Sequence, residues 1–128
     1  MRHLGLSKYV TFTGHTDPVP YYKNASLMLL TSPHEGFPLV ISEAHSYGVP
    51  VVMMNLRYLE NAKRGCVQVD KNNVNQLASE AVKLLKNDSY NYELGKDGYD
   101  SLEQFSNEKI TQMWMDLFQK VLNGEKFK

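Results

Sequence analysis

The chain has a single cysteine, Cys66, among 128 residues. That excludes an internal disulfide framework and a cysteine-rich zinc site, and so sparing a use of thiols fits a reducing, cytosolic setting. Net charge is missing too. Fourteen basic and fourteen acidic side chains cancel to +0, so no global field draws the chain to nucleic acid or to an anionic membrane. Any phosphate binding must therefore come from a local device. No apolar run approaches the roughly 18 residues of a membrane span, and the opening residues carry no signal-peptide pattern. Four histidines (His3, His15, His34 and His45) lack metal-ligand spacing and read as surface or supporting residues, with His34 adjoining Glu35.

What is present describes one soluble domain over residues 1–128, long enough to bury a core. Three strand candidates stand out: Tyr9–Thr13, Leu27–Thr31 and Pro50–Met54, with a weaker fourth at Cys66–Val69. The second and third are nearly continuous apolar runs, the pattern of parallel strands covered on both faces. Helix-length segments separate them, at Pro18–Ala25 and Pro38–Tyr47. From Asn73 the period becomes helical: Val74, Leu77, Ala78, Ala81, Leu84 and Leu85 recur behind Asn72 and Asn73 as cap candidates. Two further helices are expected near Tyr90–Leu102 and Asn107–Leu122, the latter stopped by Gly124. Its stripe of Ile110, Met113, Trp114, Leu117, Phe118 and Val121 reads as core packing, with part of it as interface. Tyr90, Tyr92 and Tyr99 read as packing and surface residues, and Cys66 as a buried structural thiol. The lead-in "RHLGLSKYV" reads as the last turn of a helix ending at Gly5, with too few residues before it to form that helix. The expectation is a piece of a longer protein.

Strand–helix alternation of this kind predicts an α/β fold, a Rossmann-like parallel sheet of about four strands with flanking helices and a helical C-terminus. Ligands in such sheets sit at the carboxyl ends of the strands. One of those ends carries "HEGFP", with Glu35 before the turn and Glu43 eight positions on. Pro38 suits the first position of a helix, where its missing N–H costs nothing. The N–H groups from Leu39 onward start without an intrahelical partner, and with the helix dipole they make an anion site that needs no net positive charge. Gly36 lets a ligand approach the backbone. A carboxylate at Glu43, a turn and a half inside the helix, can accept two hydrogen bonds from a ribose diol. Glu35 can reach hydroxyls beyond the phosphates. Sugar, phosphate and ribose in a row describe a nucleotide sugar. With eight glutamates in the chain, a pair at this spacing is ordinary by itself, so context has to carry the reading.

That context is a resemblance. Val10, Phe12 and Gly14, then Tyr22 and Ala25, Ser32, Glu35–Pro38, Glu43, and finally Gly48 with Pro50–Val52 stand in the order of a known pattern. The stretch resembles the donor-binding half of the retaining glycosyltransferases of family 4, which have the GT-B fold. The match is dense over residues 10–52 and looser to about Leu122; Leu56–Glu60 resembles a looser segment of similar enzymes. The resemblance implies transfer of a sugar from a UDP- or GDP-sugar to an acceptor hydroxyl with retention, as in polysaccharide biosynthesis. By that resemblance Glu43 would bind the ribose and Glu35 the donor sugar's hydroxyls. The backbone of Gly36, Phe37, Pro38 and Leu39 would line the sugar and diphosphate pocket, and Gly14 and His15 would border the base. Glu35 is sometimes proposed as a nucleophile in such enzymes; positioning is preferred here, because no paired general acid is visible.

The departures matter equally. The family's diphosphate-binding Arg and Lys, and the acceptor-binding N-terminal half with its glycine-rich loop, have no counterpart in this sequence. Lys63 and Arg64 lie in a later loop and do not replace them. The expected fragment is therefore catalytically silent alone. No Asp-x-Asp is present, so no metal or other cofactor is implied. A cytoplasmic location is implied, at most peripheral to the inner face of the membrane in the intact protein. The rival readings are a GT-B nucleotide-sugar epimerase and a noncatalytic nucleotide-sugar-binding subunit that pairs with a separate acceptor-binding chain. A phospho-receiver would need clustered aspartates at strand ends, and these strands end in Thr13-Gly14, Ser32 and Asn55.

Overall fold

The computed structural model describes residues 4–125. Its centre is β2 (Val51–Met54), flanked in one parallel sheet by β1 (Met28–Leu30) and β3 (Cys66–Val69). The register pairs Met28 with Val51 and Val51 with Cys66. All four β2 residues are buried, as the continuous apolar run predicts for a strand covered on both faces. Successive side chains alternate between two cores. Val51 and Met53 join Ile41, Ala44, Leu56 and Leu59 on one face, while Val52 and Met54 join Val69, Leu77 and Leu84 on the other. Burying each such large side chain contributes about 1.5–3 kcal/mol.

Helices α1 (Val19–Tyr22), α2 (Leu39–Ser46), α3 (Val74–Leu85), α4 (Asp88–Ser101) and α5 (Asn107–Leu122) follow the expected order. Asn73 caps α3 by accepting from the Gln76 N–H at 3.0 Å, and Asn87 caps α4 through the Tyr90 N–H. Gly124 ends α5 with φ +73°, and Gly5 has φ +66°; the turn before it, with Arg2 and His3, lies outside the described residues.

Three expectations are corrected. Tyr9–Thr13 forms no strand, so the described sheet has three strands rather than about four. Phe12 is 80% exposed, and no described strand offers the segment a ladder partner; an unpaired extended segment leaves its amides to water. The expected Pro18–Ala25 helix shrinks to one turn, where the Asn24 side chain donates to the Pro20 carbonyl at 2.8 Å and competes with continuation. The stripe on α5 is not core. No α5 residue is buried, and Met113, Trp114, Phe118 and Val121 are each more than half exposed. The helix packs mainly on the short 3-10 turn Leu102–Phe105, so no described element lies beneath the stripe. Coverage of both sheet faces is likewise complete only over β2, since Leu29 of β1 is half exposed.

A tight junction joins α2 to α4. His45 of α2 is fully buried, with Nε2 3.3 Å from the Gly65 carbonyl and 3.7 Å from Cys66 Sγ. A Cβ on Gly98 would lie 2.5 Å from the His45 ring, and one on Gly65, at φ +67°, would overlap both Gly98 and that ring. Helix α4 accepts glycine at 95 and 98, at about 1 kcal/mol each, because only a bare backbone lets it ride against α2. Burial pushes the Cys66 thiol up to about 12, which suits a structural rather than a reactive thiol.

Gly98→Ala should therefore destabilise the domain by about 1–3 kcal/mol in denaturant titration, whereas Gly124→Ala, with open space around it, meets only the strain of its positive φ. Burial also lowers the His45 pKa below its ordinary 6.5, against smaller opposing effects from the Gly65 carbonyl and Asp97. The folded state thus favours neutral histidine. Stability is full above about pH 6.5 and falls as the pH drops below it, until the lower folded value is passed. His45→Gln should flatten the stability–pH curve between pH 7 and 5; an unchanged slope would assign that dependence to other groups.

Candidate functional site

Of the residues singled out in the sequence, Glu35–Pro38 follow the carboxyl end of β1. Chain leaving β1 runs through Glu35, Gly36 and Phe37 to Pro38, which is buried and caps α2 from extended backbone, φ −72° and ψ 100°. Pro38 is thus the cap rather than the first helical residue, one position earlier in role than expected. It supplies no side-chain acceptor, and α2 has no acidic residue in its first turn. The Pro38 carbonyl accepts from Ile41 N–H at 3.1 Å, while no described protein group accepts from the N–H of Leu39 or Val40. By contrast α3, α4 and α5 are each capped by an Asn or Ser side chain. The start of α2 therefore presents free amide donors and the positive end of a helix dipole.

Around these amides the surface is open. Gly36 is exposed, a Cβ there would meet nothing within 4 Å, and its φ is not positive. Neither the fold nor the backbone conformation requires glycine at this position. Phe37 is half exposed and meets Phe105 edge-on, with ring centroids 5.5 Å apart; Leu39 is exposed as well.

Glu43 lies on the exposed side of α2, with Ile41 and Ala44 turned into the core. Its Oε2 accepts a hydrogen bond from the Tyr22 hydroxyl at 3.0 Å, and Tyr22 stacks on Tyr47 at 5.8 Å with an interplanar angle of 12°. Burial, and then the bond to Glu43, push the Tyr22 phenol up to about 12, so it remains a donor at neutral pH. One carboxylate oxygen is held and the other is left to accept from elsewhere.

Glu35 is held by its backbone. The Tyr58 hydroxyl donates to the Glu35 carbonyl at 3.0 Å and accepts from the Glu35 N–H at 3.3 Å. Asn61, 2% exposed, donates through Nδ2 to the Pro38 carbonyl at 3.1 Å and to Ser42 Oγ at 3.3 Å. Both partners come from the segment after β2, which lies beside the loop after β1 because the two strands are paired. Along the sequence Tyr58 stands only within the loosely matching segment Leu56–Glu60, and Asn61 lies in no motif. Their 23-residue separations from Glu35 and Pro38 follow no local period, so only strand pairing could reveal them.

Gly14 and His15 are exposed in an irregular segment, and no described hydrogen bond ties them to the Glu35–Pro38 loop. Lys63 pairs with Glu60 at 2.6 Å and Arg64 with Asp97 at 2.6 Å. Both cations are thus paired with carboxylates of the chain itself.

The family described as "Glycosyl transferases group 1" matches residues 1–87. The chain is 29% identical over 120 residues to a poly(ribitol-phosphate) alpha-N-acetylglucosaminyltransferase of Staphylococcus aureus (strain COL), covering 88% of this chain and 24% of that protein. It is 29% identical over 132 residues to N-acetyl-alpha-D-glucosaminyl L-malate synthase of Bacillus anthracis, covering 98% of this chain and 34% of that one. Sucrose-phosphate synthase from Thermosynechococcus elongatus superimposes with a TM-score of 0.80 at 25% identity, over 97% of this chain and 33% of its own. The chain thus spans a third or less of most of these proteins, and 34% of the longest-covered. The α/β, Rossmann-like fold class of a GT-B half is the observed one.

Proposed function

The chain belongs to the group 1 glycosyl transferases, and we propose that it is the donor-binding part of a retaining, family 4-type GT-B enzyme. The enzyme would move a hexosyl group from a UDP- or GDP-sugar to an acceptor hydroxyl, with an acceptor-binding half outside this chain. The observation that carries this reading is the uncapped start of α2. It directly follows Glu35–Pro38 at the carboxyl edge of the sheet and carries Glu43 on its exposed side.

Each group takes a role that its chemistry allows. The free N–H groups of Leu39 and Val40 and the helix dipole stabilise the charge that grows on the departing diphosphate. Gly36 leaves room for phosphate oxygens or sugar against the backbone. Glu43 accepts from the ribose diol with the oxygen that Tyr22 leaves free. Glu35, its backbone fastened by Tyr58, presents a carboxylate to donor-sugar hydroxyls and acts by positioning. Gly14 and His15 border the base once that segment meets the donor. Closure of an acceptor-binding half over this surface would exclude water.

Amide-shift titration of the chain with UDP and with GDP tests the reading. Saturable shifts centred on residues 36–43 are expected, at an affinity of about millimolar because the basic pair is lacking. Glu43→Ala should weaken them. Gly36→Ala should leave the melting temperature unchanged, since a methyl there meets nothing, yet weaken nucleotide binding. Shifts spread evenly over the surface, or untouched by both substitutions, would sink the assignment.

A further inference from the structure

We propose that Tyr58 and Asn61 are positioning residues of the donor site, which hold the Glu35–Pro38 loop and the start of α2 in their binding geometry. The assignment rests on the donor-site reading above and adds two residues to it. Tyr58 grips Glu35 at both backbone groups, the carbonyl at 3.0 Å and the N–H at 3.3 Å. Asn61 grips the other side of the turn, at the Pro38 carbonyl and Ser42 Oγ. Between the two grips only Gly36 and Phe37 remain. The phosphate-facing amides and the carboxylate of Glu35 are thereby set on a loop fixed at both ends.

The state of Asn61 argues that holding the loop is its purpose. The side chain is buried, and its Oδ1 has no hydrogen-bond partner among the described residues. Reversing the amide would not help, because the Pro38 carbonyl can only accept and therefore faces the NH₂ group. A buried, unpartnered carbonyl oxygen is unfavourable, and the Pro38 carbonyl is already satisfied by the Ile41 N–H. An apolar side chain of the same branched shape would leave no buried polar atom unpartnered. What asparagine adds is the pair of donations that fix the approach of the chain to α2. Tyr58 is comparable: the residue is 59% exposed, so little burial energy depends on it, yet its hydroxyl closes two bonds on one residue. Pre-organisation of this kind raises affinity by removing the ordering cost from the binding step.

The test is amide-shift titration of the chain with UDP and GDP, run on the unsubstituted protein, Tyr58→Phe and Asn61→Leu. Melting temperatures and hydrogen exchange at the Glu35 amide are measured in parallel. Both variants should melt within about 3 °C of the parent, while nucleotide affinity falls about tenfold and Glu35 exchanges faster in Tyr58→Phe. Unchanged affinity in both variants, or losses that merely track a fall in melting temperature, would overturn the proposal. If the parent protein binds neither nucleotide, the donor reading fails, and the exchange measurement still decides the grip: faster exchange in Tyr58→Phe upholds it and unchanged exchange removes it.

Discussion

The parallel pairing of β2 with a strand on either side is the constraint on which the rest of this structure depends. A strand of four buried residues has every amide in a ladder and both faces in a core. Its two neighbours must then run in the same direction, and their carboxyl ends fall at one edge. Everything that reads as function follows from that edge. The Glu35–Pro38 loop leaves β1 there, and the segment with Tyr58 and Asn61 leaves β2 beside it. Helix α2 packs over the face built by Ile41, Ala44, Val51 and Met53, so the same burial that stabilises the sheet fixes where the free amides of Leu39 and Val40 lie.

A second layer of control comes from glycine. Gly65 and Gly98 both press on the buried ring of His45, and Gly95 fits against the Gly48 carbonyl. Helix α2 is therefore fixed at both ends, by Asn61 at its start and by the His45 junction near its finish. Asp97 adds to this, accepting from the Gly65 N–H at 3.0 Å while Arg64 holds its carboxyl below the usual carboxylate range. The proposed site, built from backbone amides, needs such fixing, because its donors have no side-chain freedom with which to adapt. Gly36 contrasts with these: a Cβ there would meet nothing and its φ is not positive, so the fold itself makes no demand for glycine at that position.

Much of this was legible along the chain, for identifiable reasons. The run Val51–Met54 announced a doubly covered strand, Asn73 announced the start of α3, and Pro38 with its neighbours announced a helix start without a side-chain acceptor. Each is a local rule in which the residue and its effect lie within a few positions. Tyr9–Thr13 shows the limit. Its alternation satisfies the strand pattern, but a strand needs a partner, and among the described residues it has none. The apolar stripe on α5 fails in the same way: periodicity identified the helix and its apolar face, and periodicity says nothing of what covers that face.

The sequence by itself determined the order and type of the strands and α-helices from β1 to α5, because propensity, capping and hydrophobic period act over one or two turns of chain. Only the tertiary structure decided that Tyr22 holds Glu43, that Tyr58 and Asn61 fasten the loop from 23 residues away, and that His45 lies against two bare glycines. Those contacts exist because strand pairing and helix packing bring distant segments within hydrogen-bonding or van der Waals distance, and no period along the chain encodes which segments those will be.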